Sequence, residues 1–182
     1  LDPKHDKIIE IGAVLVIDGE IKETFSTFVN PRRELDGRIR ELTGITGEMT
    51  AGAPDIGDVI GRVVEFCRDL PLLGHHIIFD YSFLKRAAVN KGLVFEKSGI
   101  DTLTLCRRFM PEEEKKNLEN ASRYYGIKQT DAHRALADAL TAHLLYRNVK
   151  RSHFSSAPEA FRCKPLVYKV KKEQPASKKQ KE

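Results

Sequence analysis

The chain opens with a pattern of apolar and polar positions that is typical of paired β-strands. Residues 7–17 (KIIEIGAVLVI) form a β-branched apolar run, and residues 21–29 place an apolar side chain at every fourth position between polar ones. Asp18-Gly19 lies between the two segments, and this dipeptide favours a two-residue hairpin turn. The first 30 residues are therefore expected to form an antiparallel hairpin.

After the hairpin, helical periodicity alternates with short apolar runs. The runs at residues 71–74 and 100–103 are continuous rather than alternating, which favours parallel strands covered on both faces. A compact, glycine-containing loop is expected around residues 43–54. Helices are predicted over residues 36–42, 55–69, 81–90, 104–109 and 117–125. This order predicts an α/β fold with a sheet of mixed direction.

A last helix is predicted to begin near His133 and to run to Tyr146, because small and aliphatic residues recur there at spacings of three to five. Asp138 interrupts this apolar stripe. His133 precedes Asp138 by five positions, about 500° of helical rotation, so the two converge only if His133 lies in the loop before the helix. Thr130 or Asp131 could cap that helix. The apolar stripe consists of Ala135, Leu136, Ala139, Leu140, Leu144 and Leu145.

Composition and charge divide the 182 residues into a globular part and a basic end. Seven of the 31 basic residues and two of the 26 acidic residues follow Cys163, which leaves residues 1–163 with 24 of each. Residues 1–150 are expected to form one domain, and residues 151–182 a basic, disordered tail. The tail could keep the protein in solution, or it could tether nucleic acid electrostatically.

Two further features bear on location. The chain contains no apolar run of 18 residues, so no membrane partner is expected. Its three cysteines are far apart and lack Cys-x-x-Cys spacing, which supports neither a disulfide framework nor a zinc site. A reducing, cytoplasmic setting is therefore expected.

Candidate chemistry centres on Asp80, expected just past the end of a strand, where open α/β sheets place ligands. It could instead cap a helix that begins at Tyr81, and His133 and Asp138 could be surface residues. Taken together, Asp80 and Asp138 offer hard oxygen ligands that suit Mg²⁺ or Mn²⁺, and His133 offers an imidazole. Phosphodiester hydrolysis needs such a combination.

Two motifs resemble those of the DnaQ-like (DEDDh) 3′–5′ exonucleases. The segment His75-His-Ile-Ile-Phe-Asp-Tyr-Ser-Phe-Leu84 is similar to the family's second motif, His-Asn-x-x-Phe-Asp-x-x-Phe-Leu. His133 and Asp138 match the third motif, His-x-x-x-x-Asp. Residues 8–13 and 42–54 look most like the proofreading exonuclease of PolC-type bacterial DNA polymerase III and its stand-alone relatives. The resemblance covers roughly residues 1–150.

The resemblance implies an RNase H-like mixed sheet flanked by helices. It also implies that Asp80 and Asp138 are ligands of two Mg²⁺ or Mn²⁺ ions and that His133 is the general base. Leu1, His76 and Phe83 would contact the terminal nucleotide, with His76 in place of the family's usual asparagine. The implied partners are single-stranded or frayed DNA 3′ ends and a DNA polymerase, in the bacterial cytoplasm at the nucleoid.

The family's first motif, Asp-x-Glu on a central strand, would lie immediately before Leu1 and is absent from this sequence. It carries two of the family's four carboxylates, and Asp2, Asp6 and Glu10 are not expected to replace them. The chain is therefore expected to be a fragment, or its N-terminus was not recorded. As written, it is expected to bind metal weakly, and to fold poorly or pair with another chain.

Three functions follow from these observations. The first is a metal-dependent 3′–5′ exonuclease that releases nucleoside monophosphates from DNA in proofreading or repair. The second is a non-catalytic module of the same fold that binds nucleic acid or a polymerase. The third is a 3′–5′ exoribonuclease, since no residue pattern here distinguishes RNA from DNA.

Overall fold

The strands of the computed structural model, which describes residues 2–129 and 133–170, fall into two separate sheets. Strand β1 (Glu10–Ile17) pairs antiparallel with β2 (Glu20–Phe28). Strand β3 (Leu72–Gly74) pairs parallel with β4 (Ser98–Asp101), and β5 (Lys164–Pro165) pairs antiparallel with β4. The predicted mixed α/β class is confirmed, and within the described residues the two sheets share no strand pairing.

Helices fill the remainder of the described chain. Their order after the hairpin follows the predicted alternation with strands, although several bounds differ. The α-helices are α1 (Gly37–Thr43), α2 (Gly47–Ala51), α3 (Ile56–Cys67), α4 (Ile77–Asn90), α5 (Thr102–Phe109), α6 (Leu118–Tyr124) and α7 (Ala135–His153), and a 3₁₀ turn spans Pro158–Phe161. Helix α2 lies within the segment predicted as a compact loop, where Thr46 caps its short single turn.

The predicted hairpin turn is confirmed. Asp18 and Gly19 both have positive φ, 53° and 81°, as a type I′ turn requires. The strand before it begins at Glu10 rather than at residue 7, because the chain first makes a turn in which the Asp6 amide donates to the Asp2 carbonyl at 2.8 Å.

Two hydrophobic cores hold the layers together. The first packs β1 and the end of the hairpin against α3 and α4, and Val59, Ile60 and Tyr81 are completely buried in it. The second lies among α5, α6, α7 and the 3₁₀ turn, around Cys106 and Leu145. Helix α7 thus borders the hairpin at its start and the second core further along.

Helix α4 begins at Ile77, four residues earlier than predicted, so Asp80 lies in its first turn and cannot cap a helix that begins at Tyr81. The reason is local: His76 adopts the left-handed conformation, with φ 68° and ψ 46°, which turns the chain directly from β3 into the helix. Helix α7 continues to His153 rather than ending at Tyr146.

The tail predicted from residue 151 is wrong for its first 20 residues. The Leu166 amide donates to the Lys97 carbonyl at 2.8 Å, which adds β5 to the edge of β4. Leu166 and Tyr168 then pack against the first core. Burial of their apolar surface stabilises this segment, although its lysine-rich composition predicted disorder. Residues 171–182 lie outside the described residues.

The start of α7 lies directly on β1. A Cβ atom at Gly12 would overlap the backbone of Ala135 and Leu136, so this strand and helix approach each other at backbone distance. The predicted apolar stripe of α7 is only partly correct: Leu145 is buried, but Leu136 is half-buried and Leu144 is exposed. The predicted stripe fails at the start of α7 because the helix contacts β1 there through its backbone and not through interdigitated side chains.

A buried carboxylate fastens the same contact. Glu10 on β1 accepts hydrogen bonds from Arg134 Nη2 at 2.9 Å and Nε at 3.2 Å, and from the Ala135 amide at 2.9 Å. Only 7% of the Glu10 side chain is exposed. Because Ala135 is the first residue of α7, Glu10 also satisfies one of the amides that have no partner within the helix.

We expect Gly12→Ala to destabilise the protein by about 1–3 kcal/mol or more, because the new methyl group must displace the α7 backbone. Gly61→Ala is the matched control: it lies inside α3, and its Cβ would meet no atom within 4 Å. It should stabilise by up to about 1 kcal/mol through helix propensity. Urea unfolding of the two variants measures the difference, and equal effects would contradict the close approach of α7 to β1.

We expect Glu10→Gln to lower the free energy of unfolding by about 1–3 kcal/mol, because charge-assisted hydrogen bonds to a buried carboxylate are lost. Glu23→Gln is the control, since Glu23 pairs with Arg68 at a site where 52% of each side chain is exposed. Such a surface pair should contribute about 0–1 kcal/mol. A Glu23 effect as large as that of Glu10 would show that burial does not distinguish the two pairs.

Candidate active site

Asp80 occupies the first turn of α4, four residues beyond His76, which ends the turn that leaves β3. The residue is exposed by its surface area, but neighbouring protein atoms partly desolvate its carboxylate. This desolvation, with smaller contributions from the negative charges of Asp138 and Asp101, raises the pKa of Asp80 to about 6. The carboxylate therefore lies where a positive charge would be favourable, and water still reaches it.

Asp138 lies in the first turn of α7 and is half-buried. Its Oδ1 accepts hydrogen bonds from Gln129 Nε2 at 2.9 Å and from the His133 amide at 3.3 Å. Desolvation raises the pKa of Asp138, while the His133 backbone, the His133 charge and Gln129 act in the opposite direction. The negative charge of Asp138 is felt at Asp80, so the structure places the two carboxylates in the same region.

His133 lies in the loop before α7, which confirms the condition under which it could approach Asp138. Its φ is 68°, a left-handed conformation, and its side chain is exposed. Arg134 takes the N-cap position without a side-chain cap. The two candidate caps, Thr130 and Asp131, lie outside the described residues.

An aromatic row borders Asp80. The ring of His76 stacks on that of Phe79, with 6.1 Å between centroids, and Phe79 contacts Phe83 at 5.0 Å. His76 and Phe83 were candidate substrate contacts, and Phe79 joins them through the three- and four-residue spacing of the helix. Leu1, the third candidate, lies outside the described residues.

Several residues that shape this site carried weak signals in the sequence. Gln129 binds Asp138, and its Oε1 is buried without a partner among the described residues. Asp101 caps α5, since its Oδ1 accepts from the Leu103 amide at 3.0 Å, and the same oxygen also accepts from the His76 amide at 2.8 Å. The signal for Glu10 was a lone carboxylate in an apolar strand. Its carboxylate is engaged by Arg134 and by the first amide of α7.

Asp80 and Asp138 carry carboxylate oxygens, the type of donor that hard cations such as Mg²⁺ prefer. Among residues 2–129 and 133–170, no group of three or more potential metal-ligating side chains comes together. Within the same part of the chain, no helix combines the length and apolar character that crossing a membrane requires.

Comparison with known proteins identifies exonuclease relatives of this chain. The exonuclease family model of the RNase T type matches residues 1–146. The chain is 42% identical over 154 residues to the PolC-type DNA polymerase III of Bacillus subtilis (strain 168), covering 82% of the chain and 11% of that protein. Against the PolC-type enzyme of Clostridium perfringens, identity is 39% over 149 residues, covering 81% of the chain and 10% of that protein. The chain spans about a tenth of the length of these relatives.

Solved structures share the fold. Exonuclease X in complex with 5′ overhanging duplex DNA superimposes with a TM-score of 0.65 at 25% identity, covering 84% of this chain and 88% of that one. The nuclease domain of 3′hExo, a DEDDh family member bound to rAMP, gives a TM-score of 0.69 at 21% identity, covering 87% and 86%. The predicted RNase H-like class and the resemblance to PolC are thereby confirmed. The chain belongs to the RNase T-type exonuclease family and has the fold of its DEDDh members.

Proposed function

We propose that the protein is a metal-dependent 3′–5′ exonuclease that hydrolyses the terminal phosphodiester bond of DNA and releases nucleoside monophosphates. The observation that carries the proposal is the convergence of Asp80 and Asp138, from the first turns of two helices, beside His133. Relatedness to PolC-type polymerases supports a role in proofreading or repair, and a DNA polymerase as partner. Such a protein would work in the bacterial cytoplasm, at the nucleoid.

Asp80 and Asp138 would hold Mg²⁺ or Mn²⁺. Their raised pKa values fit this role, because a divalent cation offsets the repulsion and desolvation that disfavour both carboxylates ionised together. Mg²⁺ is commonly held by one or two carboxylates together with water and substrate phosphate, so the described pair suffices for one ion. A second ion, as the family resemblance implies, needs further oxygen donors. When bound, the metal would stabilise negative charge on the phosphate.

His133 would act as general base. It is exposed at the start of α7 and held beside Asp138 by its own backbone amide, so a water molecule between it and the phosphate is sterically accessible. Gln129 would keep Asp138 in place through the Nε2 contact. In this proposal Gln129 would orient Asp138, the carboxylates would hold the metal, and His133 would take the proton from water. The metal would serve as the Lewis acid.

The aromatic row of His76, Phe79 and Phe83 would receive the terminal nucleotide. Bases stack on aromatic side chains with little dependence on sequence, which suits an enzyme that degrades any 3′ end. Leu1 would extend this apolar contact. Single-stranded or frayed ends are the expected substrates, because a base must leave its pair before it can stack here.

A non-catalytic nucleic-acid- or polymerase-binding module is the second candidate. It is favoured by one observation: the described residues contain no group of three metal-ligating side chains. An exoribonuclease is a third, since the neighbouring 3′hExo structure contains rAMP. The binding module would form no product, and the exoribonuclease would prefer RNA as its substrate, so both can be distinguished from the first candidate.

We expect Asp138→Ala and His133→Ala each to lower hydrolysis of a single-stranded DNA by at least about 100-fold, because one removes a metal ligand and the other the base. The protein is expressed from its native reading frame, and mononucleotide release from the 3′ end is followed with Mg²⁺, with Mn²⁺ and with EDTA. Asp69→Ala and His5→Ala, two exposed positions outside the site, are the matched controls.

Full activity in either site variant would refute the assigned roles. DNA binding without hydrolysis by the wild-type protein would favour the binding module. The salt dependence of this binding should then weaken when residues 171–182 are deleted. The deletion starts there because residues 164–166 belong to the fold. Faster hydrolysis of RNA than of DNA of the same sequence would favour the exoribonuclease.

We expect Asp80→Asn to raise the melting temperature in EDTA at pH 8 and to have little effect near pH 4. Folding raises the pKa of Asp80 from its ordinary 3.8 to about 6, so the folded state prefers the protonated carboxyl. Ionised Asp80 therefore destabilises the metal-free fold above about pH 6, and this effect fades as the pH falls toward 4. Asp69→Asn is the control, and an Asp80 effect independent of pH would contradict the shift.

A further inference from the structure

The connection between β3 and α4 consists of His75 and His76 alone, and it determines where α4 begins. His76 is left-handed, with φ 68° and ψ 46°. This conformation is unfavourable for a residue with a Cβ atom, and apart from glycine it is best tolerated by asparagine and aspartate. The structure around His76 must therefore hold it in place.

Three hydrogen bonds tie this connection to the junction of β4 and α5. The His76 amide donates to Asp101 Oδ1 at 2.8 Å. His75 Nδ1 lies 3.0 Å from Thr102 Oγ1, and Thr102 Oγ1 lies 3.2 Å from the Gly74 carbonyl. On its other side, His75 Nε2 donates to the Lys116 carbonyl at 2.7 Å. Of these partners, only Asp101 binds His76, the residue in the left-handed conformation.

The Asp101 carboxylate is already occupied by donors of its own chain. Its Oδ1 also accepts from the Leu103 amide at 3.0 Å, which caps α5, and its Oδ2 accepts from Thr104 Oγ1 at 3.3 Å. Although its charge is felt at Asp80, these bonds engage both of its oxygens. One side chain thus caps one helix and fixes the entry into another.

We propose that Asp101 is a positioning residue of the nuclease site, which holds His76 in the left-handed conformation and thereby aims the first turn of α4. That turn carries Asp80 and the aromatic row, so Asp101 acts on metal and substrate without touching either. The proposal rests on the function proposed above. In this role Asp101 acts as a hydrogen-bond acceptor, and its negative charge is not required.

This assignment separates two substitutions of the same residue. Asp101→Ala removes the acceptor for the His76 amide, whereas Asp101→Asn keeps an oxygen that can accept from both His76 and Leu103. Asp36→Ala is the matched control, because Asp36 caps α1 by accepting from the Arg38 amide at 2.8 Å, the same i to i+2 contact that Asp101 makes with Leu103. It reports what the loss of a helix cap does by itself.

The experiment uses the protein expressed from its native reading frame and two measurements that do not depend on turnover. Hydrogen exchange of the His76 amide reports the Asp101 contact, and calorimetric titration with Mn²⁺ reports the placement of Asp80. We expect Asp101→Ala to accelerate exchange at His76 and to weaken Mn²⁺ binding by about 10- to 100-fold, as loss of a supporting residue does at metal sites. Asp101→Asn should stay near wild type, and Asp36→Ala should change neither measurement.

A second substitution tests the conformational cause. In the Asp101→Ala background, His76→Asn should recover part of the lost Mn²⁺ affinity, because asparagine adopts the left-handed conformation more readily than histidine. The same change in the wild-type protein supplies the reference Mn²⁺ affinity for this comparison. No recovery in the double variant would overturn the proposal that Asp101 acts through the backbone of His76.

Kinetics complete the test. With single-stranded DNA as substrate, Asp101→Ala should lower kcat by about 10- to 100-fold with a smaller change in KM, because the misplaced group is a metal ligand. Equal loss of Mn²⁺ binding in Asp101→Asn and Asp101→Ala would overturn the proposal and make Asp101 a ligand. Unchanged exchange at His76 in Asp101→Ala would overturn it too. A wild-type protein without hydrolysis would refute the proposed function, while exchange and Mn²⁺ binding would still decide the role of Asp101.

Discussion

The seating of α7 on β1 is the contact on which the candidate site depends. Helix α7 carries Asp138, and His133 lies just before it, so their position follows from where the helix begins on the strand. Gly12 permits backbone contact there, and Glu10 binds both Arg134 and the first helical amide. Steric fit sets the distance between the elements, and the buried ion pair sets the position of the helix along the strand.

The second constraint is electrostatic, and it opposes stability. Bringing Asp80 near Asp138 and Asp101 in a crowded environment disfavours ionisation of Asp80, which is why its pKa rises. A fold selected for stability alone would separate these groups or neutralise them. Their convergence is what a cation-binding site needs, because the ion supplies the charge that the carboxylates lack.

Polar side chains compensate for this arrangement from outside the reacting groups. Gln129 and the His133 amide hold Asp138 by hydrogen bonds, and Asp101 holds the connection into the helix that carries Asp80. The Asp101 contact reinforces the pairing of β3 with β4, in which Gly74 lies opposite Asp101. Helices α5 and α7 meet in the second core, so the two halves of the site share one support.

The sequence by itself determined the order of elements and the hairpin turn at Asp18-Gly19, whereas the pairing of the two acidic motifs was implied by their resemblance to the exonuclease family. The order of elements and the hairpin turn depend on residues close in sequence and on the period of hydrophobic positions, so they do not require the tertiary structure. Only the tertiary structure decided the rest. Glu10 meets Arg134 across 124 positions, and Asp101 meets His76 across 25. No local pattern encodes such contacts, and the same is true of the left-handed turn that starts α4 before Asp80, because distant partners offset its strain.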